Sequence, residues 1–353
     1  MSGVKKNIFN GAFLLLVLLI TLYSVFHGEN LSELLIYLKQ GDFRYWLLGA
    51  VFVVGFIESE SVIIYYMMKV LGENVKLTHC FLYSFVGFFF SLITPSATGG
   101  QPAQLYFMKK DKLSLPTSTM VLLIVTITYK LVLVVLGLVV MILRPEPVWR
   151  LLKPIYGWCY LGIFLNVVCV FGMLILVFHP TLASNIVLFC LRLFDRIFKK
   201  DMEKKYGGRL ERAMEKYRYA AEFFYKNIKV IVNVFVITCV QRLLLFAVTY
   251  LVYRSFSLNL AGAGVVITLQ GMISVAVDML PLPGGLGISE KLFKDIFLQI
   301  CTKKYTLPVM IVSRGLSFYV QLGISAVMTV VAYLRIGSAD KILSLKWLYF
   351  RKK

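Results

Sequence analysis

In Thr94-Pro95-Ser96-Ala97-Thr98-Gly99-Gly100-Gln101-Pro102-Ala103-Gln104, and again in Leu280-Pro281-Leu282-Pro283-Gly284-Gly285-Leu286-Gly287-Ile288-Ser289-Glu290, glycine and proline interrupt long apolar stretches. Apolar runs over 80–94 and 261–280 lead into these segments, and a short helix-capable piece follows each. The setting is that of a membrane protein. The chain of 353 residues is 59% hydrophobic, with a mean hydropathy of +0.79, against roughly 45–50% apolar content in soluble domains. Broken backbone at membrane depth is tolerated only where protein or a polar cavity takes up the freed N–H and C=O groups. The two breaks therefore mark a site.

Since about 20 residues cross the hydrocarbon core, full spans are predicted over 8–26, 45–68, 118–143, 155–178, 229–252 and 307–335. Lys5 and Lys6 ahead of the first run resemble the start of a signal peptide, but no A-x-A-like site follows and the run is long enough to span, so it reads as an uncleaved helix. The basic residues set the orientation. Lys5, Lys6, Lys69, Lys76, Lys109, Lys110, Lys112, the 192–229 run and the basic tail belong to the cytoplasm, together with both termini; the 27–44 and 144–154 loops are external. Threading the chain through these positions makes 80–110 a hairpin entered from inside and 261–306 a hairpin entered from outside. The predicted fold is an all-α polytopic membrane protein of about six full spans plus two oppositely directed re-entrant hairpins in an inverted repeat, an architecture shared by many secondary transporters. The first membrane repeat is 1–150 and the second 151–353, with a basic cytoplasmic helical insert at 180–228.

One offset relates the halves. A shift of 185 carries Gly99-Gly100 onto Gly284-Gly285, Glu58 next to Arg242, Lys130 next to Arg314 and Gln104 next to Glu290. The insert is read as two charged helices separated at Gly207-Gly208, the second beginning at Arg209. Such basic amphipathic helices either lie on an anionic leaflet or stand as a solvated pair that fixes topology.

Several functions are excluded. The +20 net charge lies in loops between spans rather than on a nucleic-acid-binding face. The six cysteines stand singly in or beside apolar runs, and the three histidines lie far apart, so neither disulfide framework, zinc site nor cofactor is expected. Gly284-Gly285-Leu286-Gly287 lacks the lysine and hydroxyl of a P-loop. The 181–227 insert, the longest extramembrane stretch, falls well short of the usual domain size of about 100–150 residues.

Ionisable residues inside spans are costly unless paired or hydrated, and each is a candidate site residue. Here they are Glu58, Glu60, Lys130, Arg242, Asp278, Glu290 and Arg314. Glu58 and Glu60 point about 200° apart on a helix and serve different partners. One reading pairs Glu58 with Lys130 or Arg242, and Asp278 or Glu290 with Arg314, as structural ion pairs. The other lines a hydrated cavity with them for a charged headgroup. A half-helix starting after Gly100, with Pro102 in its first turn, and another starting near Gly287, with Ser289 and Glu290 in its first turn, would aim unpaired N–H groups and positive dipole ends at that site, which suits phosphate.

The pair of motifs, above all Pro283-Gly284-Gly285-Leu286-Gly287-Ile288-Ser289-Glu290, resembles the lysylphosphatidylglycerol synthase transmembrane family, the flippase-like part of the multiple peptide resistance factor. The resemblance covers about 8–336, and Arg314 sits where that family's arginine is expected in the last conserved span. Two departures stand out: Gln101 and Gln104 replace an acidic residue and an arginine, and Lys130 stands near a position often arginine. The cytosolic domain that transfers lysine from lysyl-tRNA to phosphatidylglycerol is not found in the sequence.

The resemblance implies a bacterial plasma-membrane lipid translocase without autonomous enzymatic activity, its partners a membrane lipid, either an anionic or an aminoacylated phospholipid, and a separate lipid-modifying enzyme. Thr98, Gly99, Gly100, Gln101, Gln104, Lys130, Arg242, Gly284, Gly285, Gly287, Glu290 and Arg314 are the expected substrate-binding residues; Glu58, Glu60 and Asp278 are expected to take a coupling proton, an amino group or an ion pair. The alternatives are a membrane component of lysylphosphatidylglycerol synthesis and an ion or small-solute transporter.

Overall fold

The computed structural model describes residues 36–179, isolated positions between 181 and 189, and 202–350, with side chains over 213–282 and 284–336 in that last stretch. The described elements are helical throughout. Five are long and apolar enough to cross a membrane: Phe43–Val70, Leu115–Leu143, Lys153–Phe178, Ile228–Ser255 and Lys303–Ile336. Leu77–Ile93 and Ala263–Val277 are shorter apolar helices. The span expected at 8–26 lies outside the described residues.

In chain order the helices are α1 (Phe43–Val70), α2 (Leu77–Ile93), α3 (Gly100–Lys110), α4 (Leu115–Leu143), α5 (Val148–Leu151), α6 (Tyr156–Phe178), α7 (Met202–Lys226), α8 (Ile228–Ser255), α9 (Ala263–Val277), α10 (Ile288–Phe297), α11 (Lys303–Arg314) and α12 (Gln321–Phe350). The chain enters α1 through Asp42, whose Oδ1 accepts from the Arg44 N–H at 2.9 Å, one of the free donors of a helix's first turn. α4 starts behind Ser114 with a proline in its first turn, where the missing N–H costs nothing. The two anticipated breaks separate α2 from α3 and α9 from α10, each spanned by a single 3₁₀ turn, Pro95–Ala97 and Pro283–Gly285.

α1 and α8 form the central pair; α2 packs on α12, α4 on α6, and α9 on α6 and α8. Between lipid-facing helices there is little hydrophobic driving force, so close packing holds the bundle. The packing divides into two apolar cores. Val53, Phe56 and Ile57 of α1 join Leu133 of α4 and Phe246 and Val252 of α8 in one. Ile63, Ile64 and Met67 join Met120, Val121 and Val234 in the other. The stretch between them on each helix is polar: Glu58 to Ser61 on α1, Thr126 to Lys130 on α4, Thr238 to Arg242 on α8. A polar layer thus separates two apolar ones.

Two sequence expectations need correction. The last span is not one regular helix: a six-residue π-helical turn, Gly315–Val320, follows directly on Arg314, and such turns concentrate at functional sites. Nor do Gly207 and Gly208 break the insert, because α7 runs through them from Met202 to Lys226. Glycine in a helix interior costs roughly 1 kcal/mol relative to alanine, and the charged, amphipathic flanks absorb it. The first helix expected in the insert falls largely outside the described residues. Cys80, Cys159 and Cys301 are buried, and Cys169 and Cys239 partly so, all as free thiols; Cys190 is not among the described residues.

Candidate functional site

The two breaks meet. Their 3₁₀ turns are in contact, and Ser96 Oγ donates to the Leu280 carbonyl at 3.4 Å. They are built differently. At the second, Gly284, Gly285 and Gly287 take positive φ of 55°, 67° and 86°, which L side chains adopt only with strain. At the first, the positive φ falls on Ser96 and Ala97, while Gly99 is right-handed at φ −82°. Gly100 is needed there for space, since a Cβ would overlap the Ser91 hydroxyl. Glycines read from the sequence as helix breaks therefore supply left-handed backbone in the second break and room for close packing in the first.

The half-helix starts stand where expected, α3 at Gly100 and α10 at Ile288. Their first turns are partly capped from within. Thr94 Oγ1 accepts from the Gly99 N–H at 2.9 Å, and Glu290 Oε2 accepts from the Gly287 N–H at 2.7 Å and from Ser289 Oγ at 2.9 Å. Thr98 turns its hydroxyl back onto the Pro95 carbonyl at 3.0 Å.

The charged residues fall into three groups. Arg314 Nε donates to Glu290 Oε1 at 2.6 Å and its Nη2 to the Gly284 carbonyl at 2.8 Å, so one guanidinium at the end of α11 ties that helix to the second break and to the helix that follows it. Asp278, at the end of α9, faces two cations: Lys130 Nζ at 2.7 Å and Arg242 Nη2 at 3.7 Å. Lys130 also touches the Met279 sulfur at 2.9 Å. Arg242 is 3% exposed, its Cζ lies 3.1 Å from the centre of the Tyr129 ring, and its Nε and Nη2 have no hydrogen-bond partner. Glu60, 9% exposed, accepts from Gln104 Nε2 at 2.6 Å, while Gln101 donates to Thr126 Oγ1. Glu58 keeps a buried Oε2 without a partner.

Among the structural pairings anticipated, Glu290 with Arg314 is present, whereas Glu58 pairs with neither Lys130 nor Arg242 among the described residues. Lys130 and Arg242 instead converge on Asp278, the lysine from 148 positions away. Tyr129 and Thr126 were not singled out in the sequence. Their signal was present, a tyrosine beside Lys130 and a hydroxyl one turn before it, but which faces meet across helices is a property of packing.

Comparison with curated proteins gives no match. The model of the family described as the lysylphosphatidylglycerol synthase TM region matches residues 8–325, which include every helix of the polar layer and both breaks. The chain belongs to the lysylphosphatidylglycerol synthase transmembrane-region family.

Proposed function

We propose that this membrane protein carries an anionic or aminoacylated phospholipid from one leaflet to the other, its headgroup passing through the polar layer where the two breaks meet. The observation behind this reading is Arg242. A guanidinium 3% exposed with Nε and Nη2 unpartnered shares a single carboxylate, Asp278, with Lys130. Lys130 holds that carboxylate at 2.7 Å while Arg242 stands off at 3.7 Å, so the guanidinium has no close anionic partner, and a buried charge calls for one. A lipid phosphate is of the right sign and offers oxygens to Nε and Nη2, neither of which has a hydrogen bond. Arg314, at the second break, keeps donors beyond the two it gives to Glu290 and Gly284. The tail has a place too: an apolar groove of about 580 Å³, lined by Phe90, Gly99, Ala103, Tyr106, Val330 and Tyr333, opens beside the first break.

Alternating access follows from the inverted repeat in this reading. Elements lying on a two-fold axis touch their own counterparts. Gln241 Nε2 donates to the Phe56 carbonyl at 3.0 Å, a separation of 185 residues, and Ser96 meets Leu280 at a separation of 184. These separations match the offset relating the glycine breaks, so rocking one repeat on the other would open the polar layer to each side in turn. A bacterial plasma membrane, with both termini in the cytoplasm, is the setting we assign.

The test is reconstitution in liposomes with fluorescent phosphatidylglycerol and an impermeant quencher. The protein should raise the inaccessible fraction's exchange rate, and Arg242→Gln should abolish that increase; lipid exchange equal to that of protein-free vesicles would sink the proposal. The family's name favours a second reading, a membrane component of lysylphosphatidylglycerol synthesis working with a separate lipid-modifying enzyme. In that case lysylated product rises on adding the protein to the enzyme while exchange does not.

A further inference from the structure

The four intramembrane carboxyl groups are not equivalent. Asp278 and Glu290 are held by cations. Glu60 has a neutral partner alone among the described residues, the Gln104 amide. Glu58 lies on the same helix but turned about 200° away; Tyr129 on α4 is within electrostatic range of Glu60 on one side and of Arg242 and Asp278 on the other, and Lys130 is held by Asp278. The Tyr129 ring, stacked on Arg242, is the group that interacts with both that cation and the carboxyl.

We infer that Glu60 is a proton-binding site whose occupancy is tied to the anion site at Arg242, making lipid movement a proton-coupled transport. The inference rests on the translocase reading. We take Glu58, which has no cation among the described residues and a buried Oε2 without a hydrogen-bond partner, as neutral in both states; with Glu60 ionised, the charges of Glu60 and Asp278 then balance those of Lys130 and Arg242. A proton taken up by the Glu60 carboxylate leaves one positive charge in excess, and a lipid phosphate then restores neutrality. Proton and anion therefore cross together and leave together, and the transition between the two sides is made with the layer uncharged, the form least costly to bury.

Gln104 suits both states. Its N–H donates to a carboxylate, and its carbonyl accepts from a carboxylic acid, so the amide can serve either form by rotation. It is also held in place: a Cβ on Gly87 of α2 would overlap the Gln104 amide. The proton site thus bridges α1 to both arms of the first hairpin, α2 and α3. Loss or gain of a proton changes the contact between the central pair and that hairpin.

The experiment uses liposomes holding the full chain, fluorescent phosphatidylglycerol as the probe, and an imposed pH difference. One proton per lipid predicts that the probe accumulates in the leaflet facing the alkaline side, by about tenfold per pH unit. Proton entry, read with an internal pH dye, should follow probe movement in the wild-type protein. Glu60→Gln, permanently neutral, should cancel the accumulation, and Gly87→Ala, which displaces Gln104, should weaken it. Infrared difference spectra between acid and alkaline pH should contain a protonated-carboxyl band that Glu60→Gln removes. Probe exchange that ignores the pH difference overturns the coupling and spares the translocase. A carboxyl band at Glu60 with no probe exchange supports the proton site and overturns the translocase. A band unchanged by Glu60→Gln overturns the site itself.

Discussion

Asp278→Ala should be among the most damaging single substitutions in this protein, lowering its stability in detergent by about 3–5 kcal/mol, while Arg242→Gln costs about 2 kcal/mol or less. Among the described residues, Asp278 is the one carboxylate in contact with two cations, the partly buried Lys130 at 2.7 Å and the buried Arg242 at 3.7 Å. Removing it leaves both charges in the polar layer without compensation, which is far worse than removing a complete pair. Removing Arg242 has a different balance. The variant loses the stacking of the guanidinium on Tyr129 but also removes buried donors that have no hydrogen-bond partner, and Lys130 keeps its partner. Thermal unfolding of purified Asp278→Ala, Arg242→Gln and the triple variant Lys130→Met/Asp278→Leu/Arg242→Met would measure this, with the triple variant expected to recover much of the loss. Equal destabilisation by Asp278→Ala and Arg242→Gln would mean that Arg242 is a structural ion-pair member and not a free anion site.

Much of this arrangement was legible in the sequence because it is written in period and charge. Apolar runs long enough to span, interrupted by Pro and Gly, located α1, α4, α6, α8 and both breaks within a few residues. Intramembrane charge singled out Glu58, Glu60, Lys130, Arg242, Asp278, Glu290 and Arg314. Partnership was harder. Lys130 meets Asp278 at a separation of 148 positions, and nothing local to either residue says so. Gln104 looked like a departure from a family pattern, whereas its amide is the partner of Glu60, a role visible only once α1 and α3 are packed. The π-helical turn after Arg314 was hidden for another reason: Gly315–Val320 has the composition of an ordinary apolar helix, and the extra residue per turn is imposed by what surrounds it. Gly207-Gly208 erred in the opposite direction, a local breaker overruled by the helix-forming residues on either side.

Arg314→Met should lower stability by about 3 kcal/mol, the lower end of what breaking a buried pair costs, because the arginine is 21% exposed against 8% for Glu290. Two losses combine. Glu290 Oε1 loses its charged donor, though Oε2 keeps the Gly287 N–H and Ser289 hydroxyl, and the Gly284 carbonyl loses the donor that satisfies it inside the break. Arg314→Lys should recover part of the loss, since an ammonium can neutralise Glu290 but lacks the planar fork that reaches the carboxylate and the carbonyl together. Glu290→Gln should be milder than Arg314→Met if the carbonyl contact matters, because the guanidinium then still closes the break. Unfolding curves for the three variants, together with cysteine accessibility at introduced positions near Gly284, separate these effects. A staple predicts that stability and transport decline in step across the series, with the break becoming accessible as they do. If Arg314→Met instead melts like the wild type while transport is lost, the arginine's part is in holding the lipid phosphate, and the second break is kept shut by the Glu290 cap alone.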